Sequence, residues 1–175
     1  MEQYEQQFNW MLEYVRGAKS ILEIGSRDGA SLAGMAAVAA PGAKLRCIDY
    51  GWAIERPTSI SKPALLKTIG ELCARGFDAQ ERLANSHDPE SLDWAKEHGP
   101  YDFVFIDGDH DYDGVLLDWQ WYGPLGKKVA FHDIAAPELG VRQLWDEIKK
   151  QGHRTEEIGG DPGHMGIGLV IKDRY

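Results

Sequence analysis

The sequence predicts an α/β fold of three layers, in which helices cover both faces of a mostly parallel, seven-stranded sheet. Apolar segments of strand length alternate along the chain with longer segments whose apolar residues recur at helical spacing. Such alternation is typical of parallel sheets. The last two apolar segments, 153–158 and 166–172, are joined by a glycine-rich loop, which predicts a C-terminal antiparallel hairpin. The 175 residues suit one domain, 1–175, with an N-terminal helix within 1–17.

The segment 20–29 combines a strand, a turn and the start of a helix. An apolar stretch stops at a glycine turn, and the alanine-rich segment 31–40 follows at once. This order places backbone N–H groups and the positive end of a helix beside a ligand. Glu23 lies inside the apolar stretch, where a carboxylate is costly to bury without a partner. We therefore expect a hydroxyl- or amine-bearing ligand above this turn.

The remaining elements are predicted in the same way, from short apolar segments for strands and from apolar residues at helical spacing for helices. The predicted strands are 20–24, 44–49, 77–83, 103–106, 128–132, 153–158 and 166–172. The predicted helices are 4–16, 31–40, 63–75, 88–97, 112–122 and 137–150. The unbroken apolar segment 103–106 lies between two acids, which indicates a central strand buried on both faces. The irregular segment 50–61 is long enough to be functional, and we expect Trp52 within it to cover a ligand.

Three aspartates come at the predicted carboxyl ends of strands: Asp49, Asp107 and Asp133. Right-handed crossovers place these strand ends at one edge of a parallel sheet. Ligands of such sheets bind at that edge, above the point where the strand order reverses. The three acids therefore predict a ligand site.

Composition narrows the class of partner. The net charge is −9, and the basic residues form only short pairs such as Lys127–Lys128, so no basic stripe is available for nucleic acid. No apolar segment approaches the ~20 residues that span a bilayer, and the first residues are acidic and polar rather than signal-like. Cys47 and Cys73 lack metal-binding spacing and suit a reducing compartment. We expect a cytoplasmic protein with a small-molecule substrate and no nucleic-acid or membrane partner.

The turn reads E-I-G-S-R-D-G, which is neither G-x-G-x-x-G nor a P-loop. Arg27 and Asp28 occupy the space that a dinucleotide pyrophosphate needs, and Asp28 would repel phosphate. The turn resembles that of the class I S-adenosylmethionine-dependent methyltransferases, an acid-x-Gly-x-x-x-Gly motif matched by Glu23, Gly25 and Gly29. The resemblance covers 20–172, including the terminal hairpin, and implies a Rossmann-like fold and S-adenosylmethionine as cofactor.

The resemblance also implies where the cofactor binds. Asp49, the acid that ends the second strand, would bind the ribose hydroxyls, and Asn85 and Ser86 lie where the family contacts adenine. The implied cofactor-binding residues are Glu23, Gly25, Ser26, Asp28, Gly29, Ser31, Asp49, Tyr50, Asn85, Ser86 and Asp107. Taken alone, Asp49 would suit NAD equally well, and Asn85 and Ser86 would equally suit the cap of the following helix.

Two further segments carry candidate chemistry, Y-D-F-V-F-I-D-G-D-H-D-Y-D-G at 101–114 and V-A-F-H-D-I at 129–134. If their strands are neighbours, ~4.8 Å apart, Asp107 meets the His132–Asp133 pair, and a cation between them would offset the repulsion of the carboxylates. Alternatively, the acids after Asp107 only begin a helix, where they suit the dipole, and His132 only ends a strand.

This combination resembles the metal-dependent small-molecule O-methyltransferases of the catechol and macrocin types. The resemblance implies a divalent cation (Mg, Mn or Zn) held by Asp107, His132 and Asp133, with Asp109 as general base; His110 is the alternative base. His132 stands where an acid is usual, and imidazole suits Mn²⁺ or Zn²⁺ better than Mg²⁺.

The sequence is thus interpreted as a methyltransferase that uses S-adenosylmethionine and a metal to methylate a small-molecule hydroxyl. The substrate wall would come from the 50–61 loop, from the hairpin loop with His164, or from a second subunit in a homo-oligomer. The alternatives are an NAD-dependent oxidoreductase and a non-catalytic module that binds S-adenosylmethionine.

Overall fold

The computed structural model describes residues 2–50, 61–159 and 165–172. The strands in these ranges are β1 (Ser20–Ile24), β2 (Lys44–Asp49), β3 (Asp78–Leu83), β4 (Tyr101–Ile106), β5 (Gly126–His132), β6 (Arg154–Ile158) and β7 (Ile167–Ile171). The helices are α1 (Glu2–Val15), α2 (Ala30–Val38), α3 (Ser61–Ala74), α4 (Pro89–His98), α5 (Tyr112–Tyr122) and α6 (Gly140–Lys150). Among the helices so described, none is long and apolar enough to cross a membrane.

The seven strands form one sheet in the order β3-β2-β1-β4-β5-β7-β6. The neighbours among β1 to β5 pair in parallel, whereas β7 lies antiparallel to both β5 and β6. The predicted Rossmann-like sheet with a terminal hairpin is confirmed. Because β1 lies between β2 and β4, the strand order reverses there, and the edge above this point is the ligand-binding edge of such sheets.

The helices cover both faces of the sheet. One apolar cluster packs residues of α1, α2 and α3 against it, and the other packs residues of α4, α5 and α6. β4 contributes Phe103 and Phe105 to the first cluster and Val104 and Ile106 to the second, and all four side chains are buried. Burial of each contributes ~1.5–3 kcal/mol. The predicted central position of this strand is therefore confirmed.

The predicted and observed bounds differ most at α6. Its sequence pattern starts at residue 137, but the helix begins at Gly140. The preceding residues form a turn, in which the Leu139 N–H donates to the Ala136 carbonyl at 3.2 Å. The Gly140 N–H donates to the His110 carbonyl at 2.9 Å, and a Cβ at this position would lie 2.1 Å from the Tyr112 nitrogen. A contact with a turn distant in sequence thus fixes the start of α6.

The ends of β1 and β4 meet at Gly25. Its φ is +84°, and a Cβ built on it would lie 2.1 Å from the Asp107 carbonyl oxygen. The Asp107 N–H donates to the Ile24 carbonyl at 2.9 Å, and the Gly25 N–H donates to the Ile48 carbonyl at the same distance. Only glycine fits this position without a shift of the backbone. The turn after β1 is thereby held against the end of β4.

Gly25→Ala should lower the free energy of unfolding more than Gly76→Ala does. Gly76 also has a positive φ, +91°, but nothing lies within 4 Å of its Cβ position. The Gly76 variant therefore measures the cost of the left-handed backbone alone, ~1–2 kcal/mol, whereas Gly25→Ala adds the clash with the Asp107 backbone. Urea unfolding of both variants checks this. Equal losses would show that the contact between β1 and β4 is not tight.

Candidate functional site

Two of the three predicted acids at the carboxyl edge lie together. β4 and β5 are neighbours in the sheet, so Asp107 and Asp133 leave it side by side. Asp49 ends β2, on the other side of β1, and its Oδ2 accepts the Arg27 N–H at 2.6 Å. The edge therefore has two parts: the turn after β1 with Asp49, and a cluster built around Asp107 and Asp133.

The turn after β1 is shaped by Asp49 and by its own backbone. Arg27 has a φ of 53°, which is uncommon for a residue with a side chain, and its bond to Asp49 holds this conformation. The Gly29 N–H donates to the Ser26 carbonyl at 2.7 Å, and the Thr68 hydroxyl donates to the Asp28 carbonyl at 2.8 Å. The candidate binding residues Ser26, Asp28 and Gly29 thus form the turn itself.

Glu23 is fully buried in β1. Its Oε1 accepts a hydrogen bond from the Ser31 hydroxyl on α2, whereas Oε2 has no hydrogen-bond partner among the described residues. Burial raises the pKa of Glu23 to about 8, so this carboxyl group is protonated near neutral pH. The sequence analysis expected a ligand to satisfy Glu23. The chain itself supplies a partner for Oε1, and Oε2 is left for a polar group of a ligand to contact.

The loop after β3 holds Asn85 and Ser86. Asn85 is exposed, and its Oδ1 accepts the His87 N–H at 3.0 Å. The Ser86 carbonyl accepts a hydrogen bond from the Tyr122 hydroxyl at 2.5 Å. Because the Asn85 side chain bonds to a residue that precedes α4, it shapes the loop and does not cap the helix, which was the alternative interpretation.

A cluster of two carboxylates and two imidazoles lies at the ends of β4 and β5. His132 Nδ1 is 3.3 Å from Asp107 Oδ1 and 3.0 Å from Asp133 Oδ1. His110 Nε2 is 3.0 Å from Asp133 Oδ2 and 3.8 Å from Asp107 Oδ1. The structure thus brings together Asp107, His132 and Asp133, as expected. Asp133 has a φ of 64°, a strained conformation of the kind that concentrates at functional sites.

His110 belongs to this cluster, although the sequence analysis considered it only as a base. One ligand atom each from Asp107, His110 and Asp133 lie within 4.8 Å of one another, so these residues form a candidate metal-binding group. The signal in the sequence was that His110 follows Asp107 by three positions. A turn is needed to bring such a pair together, and the strand pattern alone does not predict it.

The cluster binds protons strongly. Asp107 and Asp133 raise the pKa of His110 to about 10. Burial lowers the pKa of His132, but the same two carboxylates outweigh this effect and raise it to about 10. Burial also raises the pKa of Asp133, but the two histidines hold it well below its usual range. Near neutral pH, two imidazolium groups therefore supply the positive charge that a divalent cation would supply in their place.

Asp109 is held at the start of helix α5. Its Oδ1 accepts the Asp111 N–H at 2.9 Å, and a Cβ added to Gly114 would lie 2.2 Å from its Oδ2. The Asp109 carboxylate is thus packed against the first turn of α5, and Asp111 is the N-cap of this helix. Of the two candidate bases, His110 is the one that lies within ion-pair distance of Asp107 and Asp133.

Two expectations concern residues outside the described ranges. Trp52 lies in 51–60, and His164 lies in 160–164. The expected covering of the ligand by Trp52 and the expected substrate wall with His164 stay predictions. Tyr50, just before the first of these segments, is exposed.

Comparisons with known proteins agree with the fold. A family model described as a methyltransferase domain matches residues 22–134. The O-methyltransferase TomG from Streptomyces achromogenes, solved in complex with SAM, is similar at 18% identity and a TM-score of 0.64, over 97% of this chain and 80% of that one.

Two further solved structures are similar but differ in the substrate that their descriptions name. CalS11, a TDP-rhamnose 3'-O-methyltransferase of calicheamicin biosynthesis, gives a TM-score of 0.67 at 16% identity, over 95% of this chain and 77% of that one. An rRNA methylase from Streptococcus thermophilus gives a TM-score of 0.62 at 10% identity, over 98% of this chain and 97% of that one. No curated protein sequence was found to match the chain. At such identities the solved structures establish a shared fold.

The pKa of Glu23 predicts how stability changes with pH. Between about 4.5, its ordinary value, and about 8, the unfolded chain releases a proton that the native protein retains. Native stability is therefore lost as the pH rises through this window, by at most ~1.4 kcal/mol per pH unit from this group. Glu23→Gln removes the ionisation and can still accept the Ser31 hydroxyl.

The free energy of unfolding of Glu23→Gln minus that of the wild type should therefore increase from pH 5 to pH 8. Urea unfolding at several pH values measures this difference. Two curves that run parallel across the window would contradict the assignment of a protonated, buried Glu23.

Proposed function

The chain belongs to this methyltransferase domain family, and from that premise we propose that it is an S-adenosylmethionine-dependent O-methyltransferase assisted by a divalent cation. The observation that carries the proposal is the cluster of Asp107, His110, His132 and Asp133, at the same sheet edge as the turn after β1. We propose a small molecule with a free hydroxyl group as the substrate.

The turn after β1 supports S-adenosylmethionine as the cofactor. The unsatisfied Oε2 of the protonated Glu23 fits a ligand group that accepts a hydrogen bond, as a hydroxyl does, and TomG was solved with S-adenosylmethionine. Asp49 is proposed to bind the ribose, and Asn85 and Ser86 the adenine. The full proposed set is Glu23, Gly25, Ser26, Asp28, Gly29, Ser31, Asp49, Tyr50, Asn85, Ser86 and Asp107.

The donor set of the cluster supports a divalent cation held by Asp107, His132 and Asp133, with His110 beside them. Oxygen and imidazole donors together suit Mn²⁺ or Zn²⁺ better than Mg²⁺, which prefers oxygen alone. The two imidazoles carry protons that such an ion would displace. The residues present therefore fit a transition-metal ion.

We assign the general base to His110. S-adenosylmethionine supplies an electrophilic methyl group, and a cation in the cluster would lower the pKa of a substrate hydroxyl and of the neighbouring imidazole. The His110 side chain is 43% exposed, whereas that of His132 is 12% exposed, so His110 is the imidazole that a substrate can reach. The imidazole would accept the hydroxyl proton, and Asp133, whose Oδ2 lies 3.0 Å from Nε2, would stabilise the resulting imidazolium.

The family match favours methyl transfer over the NAD-dependent oxidoreductase. The net charge of −9 favours a small molecule over nucleic acid, although one similar structure is described as an rRNA methylase. A cytoplasmic location, a single domain and a substrate wall from a second subunit stay predictions of the sequence.

Methyl transfer from S-adenosylmethionine to a panel of hydroxyl compounds tests the function. We expect activity that is lost on exhaustive chelation and restored by Mn²⁺ or Zn²⁺. Asp133→Asn should lose this metal-dependent activity while it retains binding of S-adenosylhomocysteine to within a few-fold, because the proposed cofactor-binding residues are unchanged. Activity that survives chelation would refute the role of the metal. Binding of the cofactor without transfer to any hydroxyl would favour a non-catalytic module.

His110→Ala should lower the rate of methyl transfer by roughly 10²–10⁴-fold, the usual contribution of a general base. Asp109→Asn is the matched variant, because its amide oxygen can still accept the Asp111 N–H, and it should keep most of the activity. Calorimetry with Mn²⁺ distinguishes loss of the base from loss of the metal. The opposite order of effects would assign the proton transfer to Asp109.

A further inference from the structure

His87 and Asp118 connect the loop after β3 to helix α5. His87 Nε2 lies 3.3 Å from Asp118 Oδ1, and the Asp118 side chain is fully buried. Within the part of the chain that the structure describes, His87 is the only basic side chain at ion-pair distance from Asp118. Neither residue belongs to the cluster at the ends of β4 and β5, and the proposed reaction gives neither of them a role.

A second contact joins the same loop to the same helix. The Tyr122 hydroxyl on α5 donates to the Ser86 carbonyl at 2.5 Å. Asn85 Oδ1 accepts the His87 N–H at 3.0 Å, so the conformation of Asn85 is tied to that of His87. Ser86 and His87 are therefore both attached to α5. Ser86 is one of the proposed adenine contacts, and His87 directly follows it.

Asp118 also lies against the turn that follows β4. A Cβ added to Gly108 would be 3.3 Å from Asp118 Oδ2, so the glycine leaves room for the carboxylate at this point. Gly108 directly follows Asp107 of the cluster. One buried carboxylate is thus placed between the loop proposed to bind adenine and the turn that carries the proposed metal ligand.

We propose that His87 and Asp118 are a positioning pair, which holds Asn85 and Ser86 in place for the adenine of the cofactor when His87 is protonated. The inference rests on the proposed cofactor. A charged pair holds the loop more firmly than the two remaining neutral bonds do, because a buried carboxylate that loses its cation is strongly destabilised.

The direction of the pH dependence follows from the groups around the pair. Asp118 raises the pKa of His87, and this effect exceeds the opposing effect of burial. Asp109 raises the pKa of His87 in the same direction as Asp118 does. Asp118 in turn faces Tyr122, beside which Arg82, Asp88 and Tyr101 lie. The ion pair is lost as the pH rises through the pKa of His87. Affinity for the cofactor should therefore fall as the pH rises.

Calorimetric titration of the full chain with S-adenosylhomocysteine between pH 6 and pH 9 tests the pair. The double variant His87→Gln, Asp118→Asn replaces two charges by two amides that can still form a hydrogen bond. Relative to this variant, the wild-type affinity should fall by roughly 3- to 10-fold across the range, as expected for a shift of up to about one pKa unit on binding. The ratio of the wild-type affinity to that of the double variant is taken at each pH. Titration of Glu23 and of the ligand's own amino group affects both proteins equally and therefore drops out of this ratio.

Two further variants complete the test. His98→Gln changes a histidine of α4 whose Nδ1 contacts the Trp94 carbonyl, and it should keep the wild-type pH profile. The single variant His87→Gln leaves Asp118 charged without a cation. It should bind roughly 10-fold more weakly, with faster hydrogen exchange at 84–88, and adding Asp118→Asn should restore both properties.

A double variant with the wild-type pH profile would overturn the positioning pair and leave cofactor binding established. A wild-type protein that does not bind S-adenosylhomocysteine would overturn the proposed function and this inference together. If the single variant does not fold, the double variant, which has no unpaired charge, still tests the proposal. The ratio of the wild-type affinity to that of the double variant, measured at each pH, is the deciding quantity.

Discussion

The close approach of β1 and β4 is the contact on which the site depends. Gly25 has no side chain to separate the turn after β1 from the Asp107 backbone, and the Asp107 N–H bonds to the Ile24 carbonyl. The proposed cofactor turn and the proposed metal ligands are distant in sequence, yet this contact places them on one rigid edge. Transfer between two bound molecules requires that they be held in contact and in the right orientation. The ends of two central strands meet this requirement better than flexible loops would.

Charge balance is the constraint under which the cluster forms. Two carboxylates beside each other would repel, and one would take up a proton. Here His110 and His132 carry protons and offset the charge of Asp107 and Asp133. The metal-dependent enzymes that the sequence resembles have an acid at the position of His132, which would leave three carboxylates to balance. With a histidine there, protons alone can neutralise the cluster, and a cation then has to displace them to bind.

The sequence predicts elements well where local pattern decides the structure. The bounds of β1, β2 and α5 agree with the prediction, because continuous apolar segments and helical spacing end at glycines or acids there. The start of α6 depends on a bond from Gly140 to His110, which no local pattern encodes. The same difference between local pattern and distant contacts explains which parts of the site could be predicted. The meeting of Asp107 and Asp133 follows from the order of the strands, whereas the entry of His110 into the cluster depends on a turn.

Helix α5 explains why residues far from the proposed chemistry can affect it. It begins directly after the turn with Asp107 and His110, its first turn packs against Asp109, and its Asp118 and Tyr122 contact the loop after β3. The sequence analysis predicts this helix but gives Asp118 no role, because an aspartate at its centre is indistinguishable from a solvent-facing one until the fold is known. Burial makes the difference, since a carboxylate with no access to water needs a partner from another element. Through that requirement, a helix that supports the sheet also holds the loop after β3 in place relative to the turn after β4.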